Sequence, residues 1–466
     1  MDIDRSSVII YASNIILSLI GFVGTAYFAQ TLGGTVLGIF FTFDAVTSVL
    51  MTGARLGVDT GIEKRISESA TQQRGSYLTA GYLITLVPIA VMSLGLFVFE
   101  SHLDEYIGVA VVPLLIVFII SSTGRWLTGA AVRGEGRVAL SSLIELFGEV
   151  IRIVTSIGLI IAGLEIFALL YGVLIGVVVK FVIFYFALST SLSIPTWETV
   201  RDLWGFSKYT SFNSVSSLAY NWADTLVLAY FASKTAVAVY EASWKVSVVA
   251  VMASQALSQA VFPSISEWAS RDEYGRIETA LSEGFTYGLL LVIPAVVGVA
   301  ILADPFMQLV YDFDTGGLIL ILLMAEKLLQ APRILIQRTL TGIGHPNLVF
   351  RTAALTLVAN VGLNLLLVPE LGSFGAAAAT ITTVSIALVI QIVYLRRFIT
   401  VTANWRALGR QTVTALAMGA VVYAAATILP PSTLLKLGGL VALGVVAYGL
   451  GMATDREIRE RVLQMV

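Results

Sequence analysis

Residues 220–267 read YNWADTLVLAYFASKTAVAVYEASWKVSVVAVMASQALSQAVFPSISE. Two apolar runs of helical length flank a short turn at 232–235, and charges stand inside both runs. Asp224 lies in the first, Glu241 and Lys245 in the second. Pro263 is expected to end the second helix, with a polar loop after it. A charge in hydrocarbon costs roughly 3 kcal/mol even on lenient insertion scales, so each of these three should face a partner or a water-filled cavity.

Runs of this kind recur along the whole chain. Of its 466 residues, 57% are hydrophobic and only 12% charged, which excludes a soluble globular protein. The runs are each long enough to cross the ~30 Å hydrocarbon core as a helix. The sequence therefore predicts an all-α polytopic membrane protein. It places fourteen spans at about 7–31, 36–58, 76–99, 107–131, 139–162, 166–188, 207–232, 236–262, 280–303, 316–341, 349–368, 374–395, 410–429 and 435–453. The first run is too long for a signal-peptide core and is expected to remain as span one.

Other chemistries are thinly represented. There is no cysteine, and the two histidines, His102 and His345, fall in separate loops, so no metal centre and no resident cofactor are expected. No glycine-rich nucleotide loop with a lysine is visible, so ATP is not consumed directly. No nucleic-acid partner is expected; the net charge of −2 says nothing about partners, because the charges are segregated by side.

Lysine and arginine fall almost wholly on one set of loops. Arg5, Lys64, Arg65, Arg74, Arg133, Arg137, Arg201, Lys208, Arg271, Arg276, Arg351, Arg396, Arg397, Arg406, Arg410, Arg456, Arg459 and Arg461 lie on that side; only Lys234 and Lys436 lie on the other. The positive-inside rule puts both termini in the cytoplasm of a cell-membrane protein. The loops 59–75, 189–206 and 263–279 on that side are amphipathic enough for interfacial helices. The longest external loop is expected at 304–315.

The chain also repeats. Gly134-Glu135-Gly136 matches Gly342-Ile343-Gly344 at an offset of 208, which sets Arg125 on Arg333, and Arg65-Ile66-Ser67-Glu68 resembles Ser264-Ile265-Ser266-Glu267 at an offset of 199. Six spans per half make a parallel repeat about an axis along the membrane normal. The expected organisation is an N-lobe at 1–190, a linker at 191–206, a C-lobe at 207–400, and a helix pair with a cytoplasmic tail at 401–466.

Three stretches carry a family resemblance. They are Asp224-Thr225-Leu226-Val227-Leu228, with Val239-Tyr240, Lys245 and Phe262-Pro263-Ser264-Ile265-Ser266; Leu32-Gly33 through Gly38-Ile39-Phe40 and Leu56-Gly57-Val58; and Leu363-Asn364 to Pro369 with Gly372, Gly375 and Thr380. Together they resemble the polysaccharide-transporter branch of the multidrug/oligosaccharidyl-lipid/polysaccharide exporter superfamily. The resemblance covers nearly the whole chain. It implies two pseudo-symmetric six-helix lobes around a central cavity that opens to alternate sides, and a substrate of lipid-linked sugar.

Several residues are candidates for that work. Arg125, Arg333 and Lys180 lie too deep for snorkelling alone and can serve as donors to a phosphate headgroup, which arginine clasps bidentately. The plainer reading pairs each with a neighbour. Arg55 and Arg338 lie near helix ends and can snorkel. Glu145, Glu149 and Arg152 share one helical face, either as a self-neutralised stripe or with the glutamates as coupling carboxylates. Glu326 and Lys327 are adjacent, point about 100° apart, and are expected to need separate partners. Tyr220, Trp222, Tyr230, Tyr240 and Trp244 read mainly as an interfacial belt, with a minority able to stack on sugar rings in the outward vestibule. For a gate, Asp44 and Lys245 are a candidate latch, with Asp224 or Glu241 receiving Lys245 when it opens; a permanent Asp224–Lys245 pair is the rival.

The expected function is a flippase, not an enzyme, that moves a polyprenyl- or dolichyl-(di)phosphate-linked glycan from the cytoplasmic to the external leaflet. An ion gradient or the membrane potential would drive it, and glycan-assembly enzymes would be its partners beside membrane lipid. A cation-coupled small-molecule antiporter of the same superfamily is the alternative, and a membrane glycan transferase a third class. The extra C-terminal helix pair and the deep basic residues favour the flippase.

Overall fold

The computed structural model describes residues 3–453. Arg456, Arg459 and Arg461 lie outside the described residues, as do the side chains of Arg5 and Tyr220. The described residues form helices and no strand: α1 (Ile3–Arg55), α2 (Val58–Glu68), α3 (Thr71–Val98), α4 (Glu100–Ile107), α5 (Val112–Gly134), α6 (Val138–Ile161), α7 (Ile166–Ala187), α8 (Trp197–Phe231), α9 (Lys234–Val249), α10 (Met252–Ser270), α11 (Tyr274–Gly288), α12 (Val292–Tyr311), α13 (Gly317–Gly342), α14 (Pro346–Leu395), α15 (Trp405–Ile428) and α16 (Leu434–Ala453).

Eight stretches among the described residues are long and apolar enough to cross a membrane, or up to nine when α9 and α10, bent by 49°, count as one span. Two of these stretches lie in helices well beyond one bilayer's need. The helices α1 and α14 have 53 and 50 residues and are each broken at a glycine with positive φ, Gly33 (79°) and Gly372 (55°). Only glycine adopts such angles without steric cost. The breaks fall where the sequence placed turns between spans one and two and between spans eleven and twelve. Both α6 and α13, though 24 and 26 residues long, fall outside the eight. They carry the charges of the candidate site.

The chain forms two compact units, Met1–Ala238 and Val239–Val466. In the first, α5 is the central helix: α1, α2, α3, α6 and α7 all pack on it. A fully buried cluster of Val58, Ile62 and Ile66 (α2), Leu78 (α3), Leu127 and Ala131 (α5) and Leu203 (α8) ties one end together. In the second unit, α13 holds the corresponding place, packed by α10, α11, α12 and α14. Ile265, Ile277, Leu281, Ile336, Leu340 and Leu395 form its cluster. The C-terminal pair, α15 and α16, packs on α12.

The turns that follow α5 and α13 are built alike. After α5, the amides of residues 135, 136 and 137 donate to the carbonyls of 131, 133 and 132; after α13, those of 343, 344 and 345 donate to 339, 341 and 340. Gly136 and Gly344 take φ of 80° and 85°. This is the helix-ending motif in which a left-handed glycine lets the chain satisfy the last carbonyls. A β-carbon on Gly134 would meet Ile66 at 3.0 Å, and one on Gly342 would meet Ile265 at 2.7 Å. The two short motifs matched in the sequence are therefore in contact, in the same way, in each unit.

Two expectations are corrected. Pro263 does not end its helix: it lies inside α10, which runs on to Ser270. A proline removes one hydrogen bond, and neighbouring helices, here α11 and α13, hold such a helix together. The interruption falls earlier, where Ala250 and Val251 donate three residues back, to Ser247 and Val248 at 3.1 and 3.2 Å, in a tightened turn. The loop expected at 304–315 is also shorter, because α12 continues to Tyr311.

Candidate functional site

In the first unit a charged cluster forms between α5, α6 and α7. Small residues make it possible. Gly172 and Gly176, spaced four apart on α7, let α6 approach closely: a β-carbon on Gly172 would collide with Ser156, and one on Gly176 would lie 2.9 Å from Cβ of Arg152. Such small-xxx-small pairs are how membrane helices pack without a hydrophobic driving force. Gly148 of α6 makes room in turn for the aliphatic stem of Lys180, with which any side chain there would collide.

Into this seam α5 sends Arg125, with a side chain only 9% exposed, to bond Glu145 of α6. The other oxygen of Glu145 lies 3.4 Å from Nζ of Lys180. One carboxylate thus serves two cations. Arg152 and Glu149 pair at 2.6 Å one turn along. Three cations against two carboxylates leave the cluster with one net positive charge. The neighbouring Arg55 pairs with Asp59 at 3.1 Å, and its guanidinium lies 4.4 Å from the Trp126 ring, which also stands 4.3 Å from that of Arg125. Arg55 is therefore anchored by a partner and a ring.

Polar atoms around Arg125 are left over. Its own Nε, the Trp126 Nε1 and the hydroxyls of Ser122 and Thr123 are buried without a hydrogen-bond partner. All four come from one turn and a half of α5. Buried donors without acceptors are costly, so a cluster of them beside a surplus positive charge suits an anionic group rich in acceptor oxygens.

The second unit holds a different charge site. Glu326 and Lys327 are fully buried, with the ammonium 2.6 Å from a carboxylate oxygen as an ion pair and 3.8 Å from the Trp244 ring. This corrects the expectation of separate partners. The long, flexible lysine curls back to its neighbour, since an unpaired buried charge at either residue would be costly. Arg333 lies half-buried on α13, and the Arg338 guanidinium stands 5.9 Å from the Phe262 ring.

The gate candidates are distributed over both units. Asp44 is half-buried on α1 and Asp224 buried on α8, both in the first; Glu241 is buried and Lys245 half-buried on α9, both in the second. Of the supposed belt aromatics, Tyr230 is 72% exposed, whereas Tyr240 is a core residue with its hydroxyl 3.5 Å from that of Thr380. Among the described residues no group of histidine, aspartate and glutamate is arranged to hold a metal. Sequence reading missed the seam glycines and Trp126. The Gly172-x-x-x-Gly176 spacing was the available signal for the first; nothing marked the second.

Eight or more helical stretches of this length and apolarity define a multi-pass membrane protein. Solved structures agree. The chain matches "Lipid II flippase MurJ, inward closed conformation" with a TM-score of 0.75 at 15% identity, covering 98% of this chain and 99% of that one. It matches an inward-facing multidrug resistance MATE transporter of the MOP superfamily with a TM-score of 0.67 at 16% identity, covering 82% and 94%. Sequence comparison then sets the family. The family described as "Polysaccharide biosynthesis protein" matches residues 41–312. Over 466 residues the chain is 32% identical to the "Probable low-salt glycan biosynthesis flippase Agl15" of Haloferax volcanii, covering 99% of this chain and 98% of that protein. It is 25% identical to the "Probable flippase AglR" of the same organism, with the same coverage. The chain belongs to the polysaccharide biosynthesis protein family.

Proposed function

We propose that the protein is a flippase for a lipid-linked glycan, carrying it from the cytoplasmic to the external leaflet by alternating access without making or breaking a bond. The observation that carries this reading is the buried, net-positive cluster at Arg125, with its unpartnered donors. A glycan headgroup on a polyprenyl or dolichyl carrier brings one or two phosphates, whose oxygens satisfy such donors, while the lipid tail stays in the bilayer. Arg125 and Lys180 hold the phosphate from the N-terminal half and Arg333 from the C-terminal half. Glu145 is the exchangeable partner: it holds Arg125 and Lys180 until substrate arrives. Glu145 and Glu149 are also the groups through which an ion gradient would couple. The names of the Haloferax relatives support the glycan class.

In the same reading, residues 191–206 are the cytoplasmic linker between the two lobes, both termini are cytoplasmic, and the helix pair 401–466 stands outside the repeat. Asp44 and Lys245 latch the outer side, and Asp224 or Glu241 takes Lys245 when it opens. Charge reversal at Asp44 or Lys245 alone should impair transport and the double reversal restore it. Rescue instead by exchanging Asp224 with Lys245 would favour a permanent pair.

The headgroup role is tested in cells that make the glycan. Arg125→Ala with Arg333→Ala should abolish surface glycan at normal protein level, and Arg→Lys at both places should be milder because charge survives but the fork is lost. Normal export by the double alanine variant would contradict the role.

A further inference from the structure

An open groove in the first unit lies apart from the charged seam. It has a volume of about 590 Å3, within the usual range for small-molecule sites, and opens between α2 and the first three turns of α8. Arg65, Glu198, Arg201, Asp202, Phe206 and Tyr209 line it, with Gly205 in its wall.

The walls are rigid. A β-carbon on Gly61 of α2 would lie 2.6 Å from the Ser207 hydroxyl and 2.9 Å from Leu203, so the two helices are in close contact there, and Leu203 is fully buried. The polar groups are fixed as well. Asp202 accepts from Arg65 at 2.7 Å on one oxygen and from the Tyr77 hydroxyl at 3.0 Å on the other, and Arg65 also reaches Glu68 at 3.3 Å. Arg65 Nε is buried and has no hydrogen-bond partner. Aromatic surface lies beside these groups. The Phe206 ring has the Lys64 ammonium 4.5 Å from its centre, and Tyr209 is 71% exposed.

Gly205 is the telling residue. Glycine weakens a helix interior, and close packing does not require it here, since a β-carbon would meet nothing within 4 Å. What a side chain at 205 would do is occupy the cavity. Its absence keeps the space open.

The lining discriminates among ligands. A bare anion would be repelled by Asp202 and Glu198. An apolar ligand would strand two guanidinium groups and two carboxylates. Sugar hydroxyls both donate and accept, which matches paired arginine and carboxylate, and the C–H face of a sugar ring packs on the electron-rich face of an aromatic ring. We propose that this cavity is a docking site for the glycan of the lipid-linked substrate, which binds there before the headgroup enters the seam at Arg125. The proposal rests on the flippase reading, which puts this end of α2 and α8 on the cytoplasmic side. The held Arg65 and Asp202 lower the entropy lost on binding, so a weak, exchangeable site can still select.

The test uses the purified full-length protein and, as probe, the water-soluble oligosaccharide released by mild acid from the lipid carrier of producing cells. Binding is followed by saturation-transfer NMR, with inorganic phosphate as competitor. The wild type should bind the oligosaccharide, Gly205→Leu and Tyr209→Ala should each weaken binding by about tenfold or more, and phosphate should not compete. Unfolding temperatures show that the variants remain folded. No binding by the wild type, wild-type affinity in Gly205→Leu, or displacement by phosphate would overturn the proposal. A parallel flipping assay in vesicles separates the two claims: a wild type that binds oligosaccharide but flips no lipid-linked glycan refutes the flippase reading alone, and normal flipping without binding refutes the docking site alone.

Discussion

The hydroxyls of Thr35 and Thr235 lie 3.1 Å apart, and the two residues are 200 positions apart in the chain. That separation falls between the offsets of 199 and 208 at which the sequence motifs recur. The contact joins α1, two residues past its break at Gly33, to the first turn of α9. The surroundings are tight. Gly38 lies against the Lys234 carbonyl, where a β-carbon would collide, and the Lys234 ammonium bonds the carbonyl of Tyr106, whose hydroxyl donates to Leu226 at 2.7 Å.

Thr35→Cys with Thr235→Cys should therefore form a disulfide on mild oxidation, in a chain with no cysteine of its own. Gly38→Val in that background should lower the yield, because it forces the start of α9 away from α1. An unchanged yield, read by protease digestion and non-reducing gels, would contradict the close approach.

Gly148→Val should reduce export by roughly tenfold, about 1.4 kcal/mol in the barrier, because it displaces Lys180 from Glu145. Gly158→Val on the same helix, where a β-carbon meets nothing within 4 Å, should leave export unchanged. Equal effects would show that Lys180 does not need its place in the seam.

Much of this was legible in the sequence, and the limits have physical causes. The all-helical membrane class came from apolar run length, which responds to bilayer thickness alone. The glycine turns after α5 and α13 were visible because a left-handed helix end demands glycine at a fixed place. Pro263 misled because the rule that proline ends helices belongs to water, where no neighbouring helix holds the broken end. Glu326 and Lys327 misled because side-chain direction was read from Cα geometry, and a four-carbon stem can turn back. The bonds of Arg125 and Lys180 to one Glu145 join three helices, and no local pattern encodes which faces meet.

The Glu326–Lys327 pair carries a stability prediction. Lys327→Met or Glu326→Gln alone should cost about 3–5 kcal/mol, since each leaves one buried polar partner unmatched, and the double variant should cost less than either. Thermal unfolding in detergent reads this. Additive losses in the double variant would mean that the two residues do not depend on each other.

Orientation is tested by labelling. Single cysteines at Ser69, Ser270 and Thr402 should be protected from an impermeant thiol reagent in intact cells, and those at Ser101, Ser233 and Ser432 should react. Reproducible labelling of the first set from outside would reverse the proposed topology.

The most direct test of the account is transbilayer movement of the lipid-linked glycan in vesicles containing only the purified protein, read by the fraction open to an impermeant glycosidase. The account predicts that wild-type protein exposes the glycan loaded in the inner leaflet, and that Arg125→Ala with Arg333→Ala falls to the rate of protein-free vesicles. Wild-type movement no faster than in protein-free vesicles, or full movement by the double variant, would contradict it.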